Sequence, residues 1–383
     1  MQFRMPNYYK KFQCIADKCP DTCCAGWAIV IDDKTFDGYM DMQGEKGDYV
    51  REHLIEEERV YKRCGERCSF LNENNLCDLY INVGEDKLCK TCARYPRHFE
   101  EYGNLVEAAL SISCPVAAEL IIDSPEPDKF LVKNDDRTSP HAKEVDAHLL
   151  EALLKVRKDM FKIMSDRTVN VWERARRILE LGEIIQPTVY EYEKLGWKRH
   201  VKVARDSVLD NVRAQHIIPV DVSFDAEAPY QYMQQFMDML LGLENINKEW
   251  PERIRSVQSA LYENINCDEY LKLRAEFNRY MESRQYEYEH IVNYFLYTYF
   301  LGGVYDYHVQ AMVKMSVLSA LIIREMGFAR WLTQDKVFTV EDQICVAYLY
   351  SRQLEHSDNN LMSLEGLLVA HPTFDKNKIS SVC

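Results

Sequence analysis

The chain has 383 residues, with 47 Lys and Arg against 61 Asp and Glu and a net charge of −14. That length and its apolar fraction suffice for one large or two ordinary domains with a sizeable core, while so acidic a surface repels phosphate backbones and anionic headgroups, arguing against nucleic acid or a membrane as partner. The opening MQFRMPNYYKKF has no apolar run of signal-peptide length, and the longest uncharged apolar stretch, near Ile291 to Tyr305, is too short and too tyrosine-rich to cross a bilayer; the expectation is a cytoplasmic protein.

Cysteine is the anomaly of the first segment, residues 1–122. Ten of the thirteen cysteines, at positions 14, 19, 23, 24, 64, 68, 77, 89, 92 and 114, lie in the first 114 residues. In a reducing compartment such density points to metal binding or redox chemistry rather than to disulfides. The elements here are short: a β-like WAIVID after the first cysteines, polar loops, then LVEAALSIS leading into Cys114. The run PVAAELII reads as a short helix with proline in its first turn, which puts Cys114 at a positive helix end, where a thiolate is favoured.

Residues 123–142, with three prolines and many charges, have the composition of an exposed connector. From there residues 143–383 take on helical periodicity. Val145, Leu149, Leu153, Val156, Met160 and Ile163 recur at steps of three and four. Asn170 with Glu173 predicts a helix start, and Gly182 predicts its end. Similar faces recur in DEYLKLRAEFNRYM, in the aromatic run from Tyr286 to Tyr299, and in VQAMVKMSVLSALIIREMG, predicted to end at Gly327. The fold class expected is mainly α, a small irregular cysteine-rich metal-binding domain followed by a larger helical array.

The cysteines fall into Cys14-x4-Cys19-x3-Cys23-Cys24, Cys68-x8-Cys77-x11-Cys89-x2-Cys92 and Cys114. A closed site needs about four thiolates brought from separate loops, and the two-residue spacer of Cys89 and Cys92 lets one turn aim both sulfurs at one centre. Proline follows both Cys19 and Cys114, and no C-x2-C is followed by H-x3-5-H; both details favour an iron-sulfur cluster, with 4Fe-4S first and zinc as the alternative. Adjacent Cys23 and Cys24 are poor partners on one centre, and Cys64, in a charged loop, is the weakest candidate. His98 is the one mixed ligand nearby. Arg63, Arg67, Lys87, Lys90, Arg94 and Arg97 could offset the charge of a thiolate cluster.

Glycine-loop fingerprints for nucleotides are absent, as are H-E-x-x-H and G-x-S-x-G, and position 26, where a C-x3-C-x2-C run would need its third cysteine, is Gly26. Tyrosines 288, 294, 297, 299, 305 and 307 either pack in the core or line a pocket for an organic cation. Tyr294 and the pair Asp306 and His308, beside Gly302-Gly303, are the catalytic candidates, with His356 in QLEHSD as another acid–base group.

Cys19-P-D-T-Cys23-Cys24-A-G-W, Cys68-x-F-L-x5-Cys77-x-L-Y, L-Cys89-K-T-Cys92-A-R-Y-P-R, S-I-S-Cys114-P and Y-S-R-Q-L-E-H-S-D-N-N-L together resemble the flagellin lysine-N-methylase (FliB-type) family across both segments. The stretch from C-x-F-L to C-A-R-Y-P is also similar to cysteine-cluster proteins that chelate zinc or iron. The resemblance implies methyl transfer from S-adenosylmethionine to lysine ε-amines of flagellin, with an iron-sulfur cluster taking part. It carries the metal-ligand pattern onto Cys19, Cys23, Cys24, Cys68, Cys77, Cys89, Cys92 and Cys114, and less directly onto Cys14. More than four thiols means two sites or some non-ligands. The rival expectation is a non-catalytic iron-sulfur or zinc protein serving sensing, storage or electron transfer.

Overall fold

Four strands form the sheet that roots the N-terminal segment in the helical body, in the spatial order Arg97–Tyr102, Leu105–Leu110, Gln2–Pro6, Phe130–Asn134. This computed structural model describes residues 1–142, 144–195 and 225–383. The first two strands are a hairpin turned by Gly103 and Asn104, with Gly103 at φ +61°, a left-handed conformation that a side chain would strain. Gln2–Pro6 runs parallel to the hairpin's inner strand, with Phe3 opposite Val106, and antiparallel to Phe130–Asn134, with Phe3 opposite Lys133. Every residue of Leu105–Leu110 is buried, as an inner strand covered on both faces requires. Phe130–Asn134 is the mostly exposed edge, so residues 123–142, whose composition suggests a connector, contribute a strand as well.

The chain is mainly α. Its central element is the Val309–Thr333 helix, apolar around most of its circumference and buried along nearly its whole length, as a helix with no polar face must be. Around it pack the helices Val171–Leu195, Gln285–Tyr299, Val340–Glu355, Asp358–Ala370 and Lys376–Val382. The helix predicted from Val145 onward runs Ala147–Met164, two residues later than expected, because Asp146 accepts from the amides of His148 and Leu149 as its cap.

Two predicted helix ends are not ends. The helix Val171–Leu195 continues through Gly182, and Val309–Thr333 continues through Gly327. Both glycines mark close approaches instead: a Cβ at 182 would lie 3.2 Å from the Val313 side chain, and one at 327 would lie 2.9 Å from the Phe338 ring. Their missing side chains let neighbouring elements pack tightly, a use of glycine that a sequence cannot distinguish from capping.

The cysteine-rich stretch has a small core of its own, built by Ile29, Ile31, Phe36, Tyr39, Val50, Leu54, Tyr61, Phe70 and Leu79 together with Cys68 and Cys89. Its regular structure is slight: helices Asp33–Asp41 and Glu45–Glu52 and two hairpins of two-residue strands. WAIVID forms no strand, only an isolated bridge from Val30 to Val60, whose own strand is two residues long, and Asp32 at its end accepts from Thr35 and caps the next helix. The sheet and the Pro115–Ile122 helix belong to the larger core instead.

Buried ion pairs join the layers. Glu107 of the sheet takes both Nη1 and Nη2 of Arg157, at 2.8 and 2.5 Å. Asp128 reaches His290 Nδ1 at 3.0 Å, while His290 Nε2 donates to the Ser124 carbonyl at 2.8 Å. Burial alone would push the His290 imidazole down, but these two acceptors outweigh it and raise it above its ordinary 6.5. A raised histidine stabilises the fold below its unfolded value, and that contribution fades as pH climbs through the folded value. His290→Gln is therefore expected to lower the urea midpoint below pH about 6.5, with the gap to wild type closing in alkaline buffer; a gap that widens with pH contradicts the pairing.

Candidate functional site

The predicted ligands separate into two groups that chain order does not reveal. Cys23 and Cys24 are hydrogen-bonded neighbours, yet their remaining electrostatic partners differ: Cys23 interacts with Cys14 and Cys114, and Cys19 interacts with Cys14 and lies in the field of Cys114. On the other side, Cys68 interacts with Cys24, Cys77 and Cys89, and Cys92 with Cys89, Cys24 and Cys68. One group thus holds Cys14, Cys19, Cys23 and Cys114, the other Cys24, Cys68, Cys77, Cys89 and Cys92. The hydrogen bond between Cys23 and Cys24 joins the two groups at this step. Cys64 is exposed, and all thirteen cysteines are free thiols.

Backbone amides are aimed at these sulfurs. Phe70 points at Cys68, Leu79 and Tyr80 at Cys77, Thr91 and Cys92 at Cys89, and Val116 and Ala117 at Cys114. Such donors stabilise thiolate over thiol. The hydrogen bond from Cys92 holds the Cys89 thiol down, to about 6, against its burial. The hydrogen bond from Cys23, with help from Thr22 and Arg67, holds Cys24 down to about 7. Burial instead pushes Cys68 up to about 12, the cost of placing a sulfur in an apolar core with no cation against it. Tyr61 donates toward Cys89 and shares a 2.8 Å hydrogen bond with Tyr39. The donor set suits soft, thiolate-binding centres, and no three of its sulfurs lie within 4.8 Å of one another.

The first group abuts the helical body. Arg352, on the Val340–Glu355 helix, binds the Asp21 carboxylate at 2.7 Å and the carbonyls of Asp21 and Ser113 at 2.9 Å each. Thus one guanidinium fastens the loop carrying Cys19 and Cys23 to the turn carrying Cys114. Beside it the His356 ring stacks on Trp27 with centroids 4.3 Å apart. Trp27 in turn donates to the Cys23 carbonyl at 2.8 Å. Burial and the adjacent Arg352 push His356 down to about 3, so the ring is neutral, and its Nε2 lies 3.1 Å from Ser113 Oγ, which Tyr95 Oη also reaches at 3.0 Å.

On this seam opens a cavity of about 570 Å³, the size that holds a small-molecule ligand. Trp27, Tyr95, Tyr102, Phe99 and Tyr299 supply aromatic walls, and Lys90, with Arg94 and Arg97 of the C-A-R-Y-P-R run, lines the same space. His98 lines it too, held neutral by burial that pushes it down to about 4; no cysteine is among its electrostatic partners. Glu355 lines it as well, accepting from Tyr294 Oη at 2.7 Å, from Tyr299 Oη at 2.6 Å and from Ser351 Oγ.

Of the catalytic candidates, Tyr294 is held beside this cavity by Glu355, and His356 lines it directly. Asp306 and His308 are elsewhere: His308 Nδ1 contacts Glu365 at 2.8 Å, and the three side chains bring ligand atoms within 4.8 Å of one another. Glu355 and Arg352 were missed by sequence reasoning, although both lie in YSRQLEHSDNNL. The only local signal was Ser351 one turn before Glu355, since the tyrosines that complete the network are 61 and 56 residues away. Most other buried tyrosines of the aromatic helix, Tyr288 and Tyr297 among them, pack in the core or tie it to the sheet.

The fold and this seam define a class: a mainly helical protein whose cysteine-rich N-terminal lobe borders a cavity at the edge of a helical domain. A family model described as the FliB lysine N-methylase C-terminal domain matches residues 157–381, more than half of the chain. The chain belongs to the FliB lysine N-methylase family. Lysine-N-methylases of Salmonella choleraesuis (strain SC-B67) and Salmonella typhimurium (strain LT2) are each 24% identical to it over 309 residues, covering 70% of this chain and 73% of their own. The flagellar biosynthetic protein FliU of Salmonella muenchen is 29% identical over 133 residues, 32% of this chain and 77% of that protein. No solved structure matches. No helix among the described residues is long and apolar enough to cross a membrane.

Proposed function

We propose that this chain is a protein lysine N-methyltransferase that uses S-adenosylmethionine and acts on flagellin. The observation that carries the reading is the cavity of about 570 Å³ on the seam between the thiolate-rich lobe and the family-matching helical domain, with aromatic walls and a carboxylate. Both partners in such a reaction are organic cations, a lysine ammonium and a methyl sulfonium, and aromatic faces with a nearby carboxylate attract that charge. The names of the relatives, lysine-N-methylase and flagellar biosynthetic protein, support a flagellar protein as substrate.

We assign the two sulfur groups to iron-sulfur centres, 4Fe-4S by preference. Cys14, Cys19, Cys23 and Cys114 would hold one; four of Cys24, Cys68, Cys77, Cys89 and Cys92 would hold the other. A single tetrahedral zinc with Zn–S near 2.3 Å needs sulfurs about 3.8 Å apart. No three cysteine sulfurs among the described residues come within 4.8 Å of one another, so the preference for a cluster over zinc rests on the cysteine pattern of the sequence and on the number of thiols in each group. The centre beside Arg352 would supply an electrostatic anchor near the cavity, and the thirteen free thiols suit a reducing cytoplasm. Around it this chain's own groups act: Arg352 fixes the two cysteine-bearing turns, Trp27 and His356 cover them, and the aromatic walls exclude water from the transfer.

Mass spectrometry of flagellin from cells with and without the gene tests the reading. Methyl-lysines present only with the gene are expected, and identical modification in both strains rejects it.

A further inference from the structure

A carboxylate ion offers about four lone-pair positions. Glu355 uses three of them, on Tyr294, Tyr299 and Ser351, and all three donors are neutral hydroxyls. No lysine, arginine or histidine pairs with it among the described residues, whereas the buried Glu107, Glu287 and Glu289 each hold an arginine; the fully buried Glu325 also accepts only from tyrosines, Tyr262 and Tyr270, but it does not line the cavity. Instead Glu355 borders the cavity, half-buried, beside Tyr299, Thr298 and His356. A desolvated anion without a counter-ion is costly unless a cation arrives to complete it.

Other charged groups on the cavity are unsuited to receiving a cationic substrate and its proton. Lys90, Arg94 and Arg97 are cations, His356 and His98 are neutral rings of low basicity, and Glu100 lies on the exposed rim. Resting on the methyltransferase reading above, we propose that Glu355 receives the ε-ammonium of the substrate lysine and takes its proton.

The step balances without a further reagent. One N–H bond of the ammonium breaks and its proton passes to a Glu355 oxygen, leaving a lone pair on the amine nitrogen. That pair forms a bond to the methyl carbon of the sulfonium donor as the C–S bond breaks, its electrons staying on sulfur, which becomes a neutral thioether. The product is a methylated ammonium. Burial raises the Glu355 carboxyl above the ordinary carboxylate range, which makes it a better proton acceptor than a solvated glutamate. The two tyrosines and Ser351 hold it facing the cavity in one orientation.

Glu355→Gln keeps the size and an oxygen for the tyrosines and removes the charge. Purified wild type and variant are compared with a lysine-bearing flagellin peptide. Without any methyl donor, titration is expected to show the peptide bound at least tenfold more weakly by Glu355→Gln, while S-adenosylmethionine binding, which also reports that the variant is folded, stays as in wild type. With both substrates, transfer is expected to fall by about 10²-fold or more, and Glu355→Asp, which retains the charge, to recover part of it. Unchanged peptide affinity and rate in Glu355→Gln overturn the proposal, as does a variant that loses S-adenosylmethionine and keeps the peptide, for the carboxylate then serves the sulfonium. A wild type that binds the peptide through Glu355 but transfers no methyl group overturns the methyltransferase reading and the proton step, leaving the ammonium contact established by the titration.

Discussion

Serine at any one of Cys14, Cys19, Cys23 or Cys114 is expected to remove roughly half of the bound iron and sulfide from anaerobically purified protein, at a full complement of two clusters of four thiolates each. The same loss is expected from Cys89→Ser, whose sulfur receives the amides of Thr91 and Cys92 and a hydrogen bond from Tyr61. The argument is geometric. The sulfurs of each group are linked by electrostatic interactions, the groups meet where Cys23 and Cys24 hydrogen-bond, and backbone amides are aimed at Cys89 in one group and Cys114 in the other. Exposed Cys64 belongs to neither, so Cys64→Ser keeps the full content. Because Cys68 and Cys89 also belong to the small core, their variants lose thermal stability as well. Iron and sulfide analysis with the visible spectrum decides: an unchanged metal content in Cys89→Ser, or protein containing zinc alone, contradicts the assignment.

Arg157→Ala is expected to cost about 3–5 kcal/mol of folding stability. Arg157 and Glu107 are nearly inaccessible to solvent, at 1% and 3% exposure, so water can screen neither charge. Arg157 also donates to the Tyr297 carbonyl at 2.9 Å, joining the inner strand to two helices. Truncation leaves the Glu107 carboxylate buried beside a cavity, with only the more distant Arg4, at 3.5 Å, to answer it. The double variant Glu107→Gln/Arg157→Met removes both charges and is expected to recover most of the loss. Urea unfolding followed by tryptophan fluorescence measures this, and a single-variant cost below about 1 kcal/mol, the range of an exposed pair, contradicts the account. Since this sheet anchors the turn that carries Cys114, the first sulfur group is expected to weaken with it.

Local rules read well wherever one face or one cap decides. The face from Leu149 to Ile163, the Asn170 start of Val171–Leu195 and the proline-led helix after Cys114 are all where periodicity and capping chemistry place a helix, while Val145, the first residue of the predicted face, precedes its helix. Gly182 and Gly327 misled because their role is set by Val313 and Phe338, residues outside their own helices that the fold brings against them. The cysteines announce a thiolate-rich region but not its partition. Cys114 joins Cys19 and Cys23 only because the sheet returns it there, and the hydrogen-bonded Cys23 and Cys24 have different further partners although they are adjacent in the chain. Glu355 was invisible for a similar reason: in sequence it is one more acid at a helix end, and only the fold sets Tyr294, Tyr299 and an open cavity against it.

The lobe-to-body seam is where these threads meet, since Arg352 ties the first sulfur group to the wall of the cavity. The most direct test of methyl transfer at this seam uses anaerobically purified protein, unmodified flagellin and S-adenosylmethionine carrying a deuterated methyl group. The account expects the heavy methyl on flagellin lysines, in amounts that rise with enzyme and fall sharply with Glu355→Gln. Flagellin that stays unlabelled with metal-replete wild-type protein would contradict it.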